Sequence, residues 1–251
     1  MPIARPESRF YRVIAWIARS LMFTMTRYDW RGSEHLPRSG GFIAAANHAT
    51  EVDSVTFAHY LYDNGFEPRI LAKRGLFSVP VLGMLLRATR MIPVDRGTAD
   101  AGRSLDAARD ELGAGACVAI FPEGTITRDP DLWPMEGKTG LARIALTTRM
   151  PVVPVAQWGA NELLPRYGRL LRPIPRKRVQ TVAGPAVDLS DLYDRPLDST
   201  TLREATTRVM DAITVLLEDL RGEKAPAARF DLRKHPEYEA RRTTYPPVER
   251  P

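Results

Sequence analysis

The chain has 251 residues, of which 44% are hydrophobic and 26% charged, so a full core can be buried and general disorder is excluded. Its 36 basic and 30 acidic residues leave a net charge of +6, which favours anionic partners (nucleic acid, an anionic lipid surface or phosphorylated substrates) without choosing among them. The single cysteine, Cys117, excludes an internal disulfide framework. It sits in an apolar run and reads as a small core residue rather than a nucleophile.

Residues 8–28 have helical spacing. Phe10, Val13, Ile14, Ile17, Leu21 and Met25 share one face, and the other carries Arg9, Arg12, Arg19 and Arg27 with Trp16 and Phe23 among them. Aromatics mixed with arginines suit a helix lying in a lipid interface. An ordinary amphipathic helix with two extra aromatics is the alternative. No apolar core precedes a cleavage site and no run of about 18 apolar residues occurs, so the chain is expected to be cytoplasmic and without a spanning helix.

Short strands are expected at 41–46, 69–72, 90–94, 116–121, 152–157 and 179–183. Helices fall between them at 54–63, 76–88, 99–113 and 138–149. The alternation predicts an α/β domain with a mixed, largely parallel sheet flanked by helices. Ligands of such sheets gather in the loops at strand ends, and His48, Arg96 and Glu123 all fall just after expected strands. Residues 160–178 read as a basic, proline-bearing loop, either a solvated face or a contact for phosphate or a headgroup. A final helix is expected over 202–221, with Thr201 and Glu204 as a capping box and Gly222 as its stop. Rich in proline and charge, 223–251 reads as an extended or disordered tail. The chain thus divides into a helix over 1–30, a main domain over 31–222 and that tail.

Four blocks carry chemistry. In Asn47-His48-Ala49-Thr50-Glu51-Val52-Asp53 an imidazole and a carboxylate stand five residues apart. A carboxylate that holds one ring nitrogen fixes the tautomer and makes the other a base for a substrate alcohol. Lys73-Arg74 is a basic pair at a strand end. Ile92-Pro93-Val94-Asp95-Arg96 is a strand ending in an arginine. Phe121-Pro122-Glu123-Gly124-Thr125-Ile126-Thr127-Arg128 is a strand running into a glycine turn with a carboxylate, hydroxyls and an arginine. Singly, each block reads more readily as a surface pair or a turn. Together they describe an acid–base dyad, several cations and a glycine that lets backbone approach a ligand. Such a site could bind a phosphorylated alcohol and deprotonate its hydroxyl. No HExxH or paired CxxC is present, and Gly113-x-Gly115 lacks a third glycine, so neither a metal nor a dinucleotide cofactor is expected. His35, His59 and His235 read as surface or packing residues.

Asn47-His48-x4-Asp53 resembles the His-x4-Asp motif of the glycerolipid acyltransferases, the lysophosphatidic acid acyltransferase (PlsC-like) family. Ile92-Pro93-Val94-Asp95-Arg96 resembles that family's second block, Phe121-Pro122-Glu123-Gly124-Thr125 its third and Val152-Val153-Pro154-Val155 its fourth. Lys138-x-Gly140 falls where the family often has a similar pair. The resemblance spans about 47–155, in family order. It implies acyl transfer from acyl-CoA or acyl-carrier protein, as co-substrate, to the free hydroxyl of lysophosphatidate, giving phosphatidate. It further implies an enzyme that needs no cofactor and works peripherally at the cytoplasmic face of the membrane. By that resemblance His48 is the general base and Asp53 its orienting partner. Arg96, and less securely Lys73, hold the acceptor's phosphate. Glu123, Gly124 and Thr125 shape the acceptor site, and Val152 to Val155 form an acyl-chain or core wall. The helix over 1–30 becomes the membrane-associating element, and the apolar stretch 76–86 an acyl groove or a core helix.

One departure matters. The third block commonly continues with an arginine, where Ile126 stands here. Either Arg128 takes that role or a phosphate contact is missing, which keeps open another acceptor such as glycerol 3-phosphate, another lysophospholipid or a glycolipid. Two other classes stay open. A basic nucleic-acid-binding protein fits the charge but lacks a binding motif, so no nucleic acid is expected. An inactive lipid-binding scaffold sits poorly with an intact His48 and Asp53.

Overall fold

The computed structural model describes residues 9–94 and 101–246. Along the chain run α1 (Arg9–Met25), β1 (Thr26–Arg31), β2 (Phe42–Ala46), α2 (Asp53–Asp63), β3 (Arg69–Lys73), α3 (Leu82–Ala88) and β4 (Ile92–Val94). They are followed by α4 (Ala101–Gly113), β5 (Cys117–Ile120), α5 (Gly140–Thr148), β6 (Val152–Trp158), α6 (Ala160–Leu163), β7 (Lys177–Ala183) and α7 (Ser199–Arg221). One seven-stranded sheet has the order β1-β7-β6-β2-β5-β3-β4. All pairings are parallel except that of β6 with β7. This is the mixed, largely parallel sheet expected from the alternation of elements.

The central strand shows why the sheet is covered on both faces. Phe42, Ala44 and Ala46 of β2 pack with Phe57, Tyr60 and Leu61 of α2. Ile43 and Ala45 point to the other side, into a cluster with Ile144 of α5 and Val209 and Ile213 of α7. Successive side chains of a strand alternate between faces, so a strand buried on both reads as the unbroken apolar run found here. Cys117 is buried in β5 on the α2 side, as its setting suggested.

Four sequence expectations are corrected. The 8–28 helix ends at Met25, and residues 26–31 form β1 at the sheet edge, parallel to β7. Thr-Arg-Tyr-Asp-Trp-Arg does alternate with period two, but the stronger helical pattern running into it masks that signal. The apolar stripe expected on one face of α1 also divides, with Met25 buried and Ile14 half-buried while the rest turns outward. Tyr11, Met22 and Met25 are its buried residues, while Phe10, Val13, Trp16, Ile17 and Leu21 are each at least half exposed. The 76–88 helix is split. A 3-10 turn covers Arg74–Ser78, and α3 starts only at Leu82, because Pro80 disfavours helical backbone in the residue before it. Finally, α7 starts three residues earlier than expected. Its cap is Asp198, whose carboxylate accepts from the Thr200 and Thr201 amides at 3.0 and 2.8 Å. Glu204 pairs instead with Arg195 and Arg208. Gly222, at φ 67°, ends the helix as expected.

The tail reading fails for 223–246, which packs on the main domain as a strap. Phe230 bridges to Met135 and accepts a hydrogen bond from the Glu136 amide at 3.0 Å. Met135, Phe230, Tyr238 and Tyr245 form a small buried cluster. The aromatics are spread over sixteen residues of charged and proline-rich chain, with no regular period to reveal them. In a disordered tail Phe230→Ala would leave stability unchanged. Packed as it is, the substitution should cost about 3 kcal/mol, the usual scale for emptying a buried phenylalanine site, read as a lower denaturant midpoint.

Candidate active site

The strand order decides where the chemistry lies. β2, β5, β3 and β4 are consecutive in the sheet and parallel, so their carboxyl ends lie in a row at one edge. His48 follows β2, Lys73 ends β3 and Glu123 follows β5, the place where open α/β sheets bind ligands. Arg96 follows β4 in sequence and lies outside the described residues.

Asp53 begins α2, where a carboxylate also suits the positive end of the helix. Its Oδ2 faces three donors: His48 Nδ1 at 3.3 Å, the Thr50 amide at 2.7 Å and the Ala49 amide. An acceptor-only carboxylate there selects the tautomer with the proton on Nδ1. The ring stacks on Phe121 with centroids 4.1 Å apart, and Nε2 has no partner among the described residues. His48 lines a cavity of about 940 Å³, large for a small-molecule site. A base with its lone pair on such a cavity can accept a proton from a bound hydroxyl.

Glu123 lies beneath the site rather than in it. It is 2% exposed. One oxygen accepts from the His48 amide at 2.9 Å and the other from the Met135 amide at 3.0 Å. Burial pushes its carboxyl up to about 8, against those two donors, which favour the ionised form. Glu123 therefore positions His48 through its backbone. Thr127 closes the same turn from the other side, donating its amide to the His48 carbonyl at 2.7 Å.

The remaining expected residues divide. Lys73, Gly124 and Thr125 line the cavity, as do Lys138 and Gly140. Gly124 has φ 69°, and a Cβ there would meet the Lys138 side chain at 3.0 Å, so glycine serves both the turn and the room for lysine. Arg128 does not reach the cavity. It is buried, donates to the Ile126 carbonyl at 3.1 Å and lies over the Tyr167 ring. Val152 to Val155 are central in the sheet and belong to the core wall. In the 76–86 stretch, Leu76, Leu82, Leu85 and Leu86 line the cavity, whereas Val79, Val81 and Met84 are exposed. Arg166 of the basic loop is buried and braces the Thr127 and Asp129 carbonyls at 3.0 and 2.6 Å. His59 is buried against Phe23, Tyr28 and Trp30, a packing role as read from sequence.

Several supporting residues escaped the sequence reading. Asn47 and Gln157 clamp the ends of β2 and β6: the Asn47 side chain donates to the Gln157 carbonyl at 3.0 Å and accepts from its amide at 2.8 Å. A glutamine closing an otherwise apolar strand was the available clue. Tyr167 and Arg241 also line the cavity, and nothing in their local sequence marks them.

The sequence model of the Acyltransferase family matches residues 27–158, more than half of the chain and the stretch that holds His48, Asp53 and Glu123. The chain belongs to the Acyltransferase family. Among family relatives, a chloroplastic 1-acyl-sn-glycerol-3-phosphate acyltransferase of Brassica napus is 30% identical over 166 residues, covering 64% of this chain and 46% of that one. The 1-acyl-sn-glycerol-3-phosphate acyltransferase of Bacillus subtilis is 31% identical over 128 residues, 51% of this chain and 61% of its own length. The chain thus spans about half the length of such relatives. The crystal structure of the 1-acyl-sn-glycerophosphate acyltransferase PlsC from Thermotoga maritima superposes with a TM-score of 0.64 at 22% identity, covering 89% of this chain and 86% of that one. That likeness establishes a shared fold.

The buried Glu123 has a consequence for stability. Its folded-state value, about 8, lies above the ordinary 4.5, so the folded chain holds this proton more tightly than the unfolded one. The associated stability is full below about pH 4.5 and is lost as pH rises through about 8. Glu123→Gln removes that titration. Unfolding midpoints measured across this window should therefore fall more for wild type than for the variant. Parallel curves would show that Glu123 is ionised throughout.

Proposed function

We propose that the protein is a 1-acyl-sn-glycerol-3-phosphate acyltransferase, moving an acyl chain from acyl-CoA or acyl-carrier protein to lysophosphatidate at a membrane surface. The observation that carries this reading is His48: its Nδ1 is held by Asp53, and its ring opens on a large, mostly apolar cavity with lysines among its lining. Apolar walls suit an acyl chain, and cations suit a phosphate.

In this reading His48 Nε2 takes the proton of the acceptor hydroxyl as its oxygen attacks the thioester carbonyl. The new C–O ester bond forms, the C–S bond breaks, and the departing thiolate takes up the proton. A thioester is already activated, so no acyl-enzyme is needed. Asp53 stabilises the imidazolium that forms between the two proton transfers. On the family pattern, Arg96 and Lys73 bind the acceptor's phosphate. Ile126 at the position of the third-block arginine supports a second reading, in which the acceptor carries another headgroup.

His48→Ala and Asp53→Asn separate chemistry from architecture. Thiol release from palmitoyl-CoA with lysophosphatidate vesicles should fall about 10²- to 10⁴-fold in His48→Ala, the usual worth of a positioned base, with little change in melting temperature. Asp53→Asn should lose comparable activity and also melt about 5 °C lower, because its Oδ2 ties down the Ala49 and Thr50 amides as well. Near-wild-type turnover in His48→Ala would end this reading.

We further propose a peripheral position on the cytoplasmic face of the membrane. Among the described residues no helix is long and apolar enough to cross a membrane. Trp16 is 66% exposed on α1, and Leu170 and Ile174 of the basic loop are 80% and 88% exposed. Arg176 of that loop donates to the Phe23 and Thr26 carbonyls, bringing it to the end of α1. Exposed apolar groups among arginines suit an anionic bilayer. Trp16→Ser/Ile17→Ser should weaken binding to phosphatidylglycerol vesicles at least tenfold in co-sedimentation while leaving turnover of a soluble short-chain acceptor within twofold. Unchanged vesicle binding would remove α1 as the docking element.

A further inference from the structure

The strap formed by residues 223–246 brings a cation to the active-site cavity. Arg241 lines that cavity together with His48, Thr125 and Lys138. Its guanidinium lies 5.8 Å from the centre of the Tyr167 ring, and that of Arg128 lies 4.7 Å from the same ring. The Tyr167 amide donates to Glu51 at 3.2 Å, and Glu51 belongs to the His48–Asp53 segment. Arg241 therefore enters the cavity beside Tyr167, whose backbone is tied to the segment that carries His48.

The strap is built to hold this position. The Tyr245 hydroxyl donates to the Ala240 carbonyl at 2.6 Å and accepts from the Arg242 amide at 3.3 Å, which pins the backbone on either side of Arg241. The Tyr245 ring in turn covers the Arg166 guanidinium at 4.5 Å, and Tyr238 donates to the Pro246 carbonyl at 2.9 Å. Arg128 and Arg241 are near enough to repel one another, and a bound anion would relieve that repulsion. Arg128 is buried behind Tyr167 and spends its guanidinium on the Ile126 carbonyl, so Arg241 is the member of the pair that a ligand can reach.

We propose that Arg241 is a substrate-binding residue that contacts the phosphate of the acceptor, supplying from the strap the cation that Ile126 does not supply from the strand. This rests on the acyltransferase reading. The choice of the acceptor over the donor follows from chemistry: in glycerol phosphates the free hydroxyl and the phosphate ester sit on neighbouring or nearby carbons, so a phosphate contact belongs close to His48. In acyl-CoA the whole pantetheine arm separates the thioester from the nearest phosphate.

The test is steady-state kinetics of Arg241→Ala and Arg241→Lys in the full chain, varying lysophosphatidate and palmitoyl-CoA separately, with monoacylglycerol as an uncharged acceptor. Arg241→Ala should raise KM for lysophosphatidate about tenfold or more, the scale of a charge-assisted contact. It should leave kcat within twofold, KM for palmitoyl-CoA unchanged and the use of monoacylglycerol unaffected. Arg241→Lys should recover part of the loss. A rise in KM for palmitoyl-CoA alone would move the contact to the donor and overturn the assignment. Equal losses with both acceptors, or no change with either, would overturn it as well. Equilibrium binding of a soluble short-chain lysophosphatidate to His48→Ala, with and without Arg241→Ala, separates the two proposals. Tenfold weaker binding without Arg241 supports the contact even if wild type turns over no acceptor, an outcome that would sink only the reaction. Equal binding to the two proteins sinks the contact.

Discussion

One buried carboxyl ties the active site to the rest of the molecule. Glu123 has two oxygens and two backbone donors, the amides of His48 and Met135. The first belongs to the turn after β2, the second to the loop that the strap grips through Phe230. A buried polar group left without partners costs more than a formed hydrogen bond returns, so neither segment can move away from Glu123 cheaply. His48 is thus held from below by its own amide, from one side by Asp53 and from the other by Thr127. The Phe121 stack and the Asp53 contact then hold its ring.

The sheet supplies the second layer of this arrangement. Because β2 lies between β6 and β5, the Asn47–Gln157 clamp joins the turn carrying the base to the strand on one side, and Glu123 joins it to the strand on the other. Thr56 of α2 donates to the Gln157 side chain at 2.8 Å, so the helix that begins with Asp53 is fixed to the same frame. His48 and Asp53 therefore share one network, and their 3.3 Å separation is a property of the sheet and not of the five-residue spacing alone. The spacing brings the two residues near, and the network sets the angle.

The sequence made legible what depends on local pattern. Strands buried on both faces show as apolar runs, and parallel connections show as strand–helix alternation, so the sheet and the row of strand ends could be read in advance. The positions of His48, Lys73, Gly124 and Thr125 beside those ends, on one cavity, could be located for the same reason. What escaped reading depends on contacts distant in the chain. β1 needs β7, some 150 residues on, to be a strand at all. The roles of Glu123 and Arg128 differ from expectation because depth below the surface, which residue order does not encode, separates a carboxyl that touches ligand from one that holds backbone. The strap is the plainest case: Phe230, Tyr238 and Tyr245 find their partner in Met135, and nothing between Gly222 and Phe230 announces that the chain turns back.

Helix α1 unites the outward and inward sides of the site. Its Tyr11, Ile14, Ala15, Ala18 and Met22 line the cavity, while Phe10, Val13, Trp16, Ile17 and Leu21 face out. A helix apolar on both sides is costly in water and natural at a boundary between a lipid surface and an apolar cavity. Arg19 pairs with Asp63 at 3.0 Å, at the far end of the helix that begins with Asp53, roughly 15 Å away along its axis. One short rigid element thus joins Asp53 to α1. On the acyltransferase reading, an acyl chain entering beside α1 leaves one apolar environment for another without losing contact with hydrocarbon, and its polar headgroup is delivered to the end of the cavity where His48 waits.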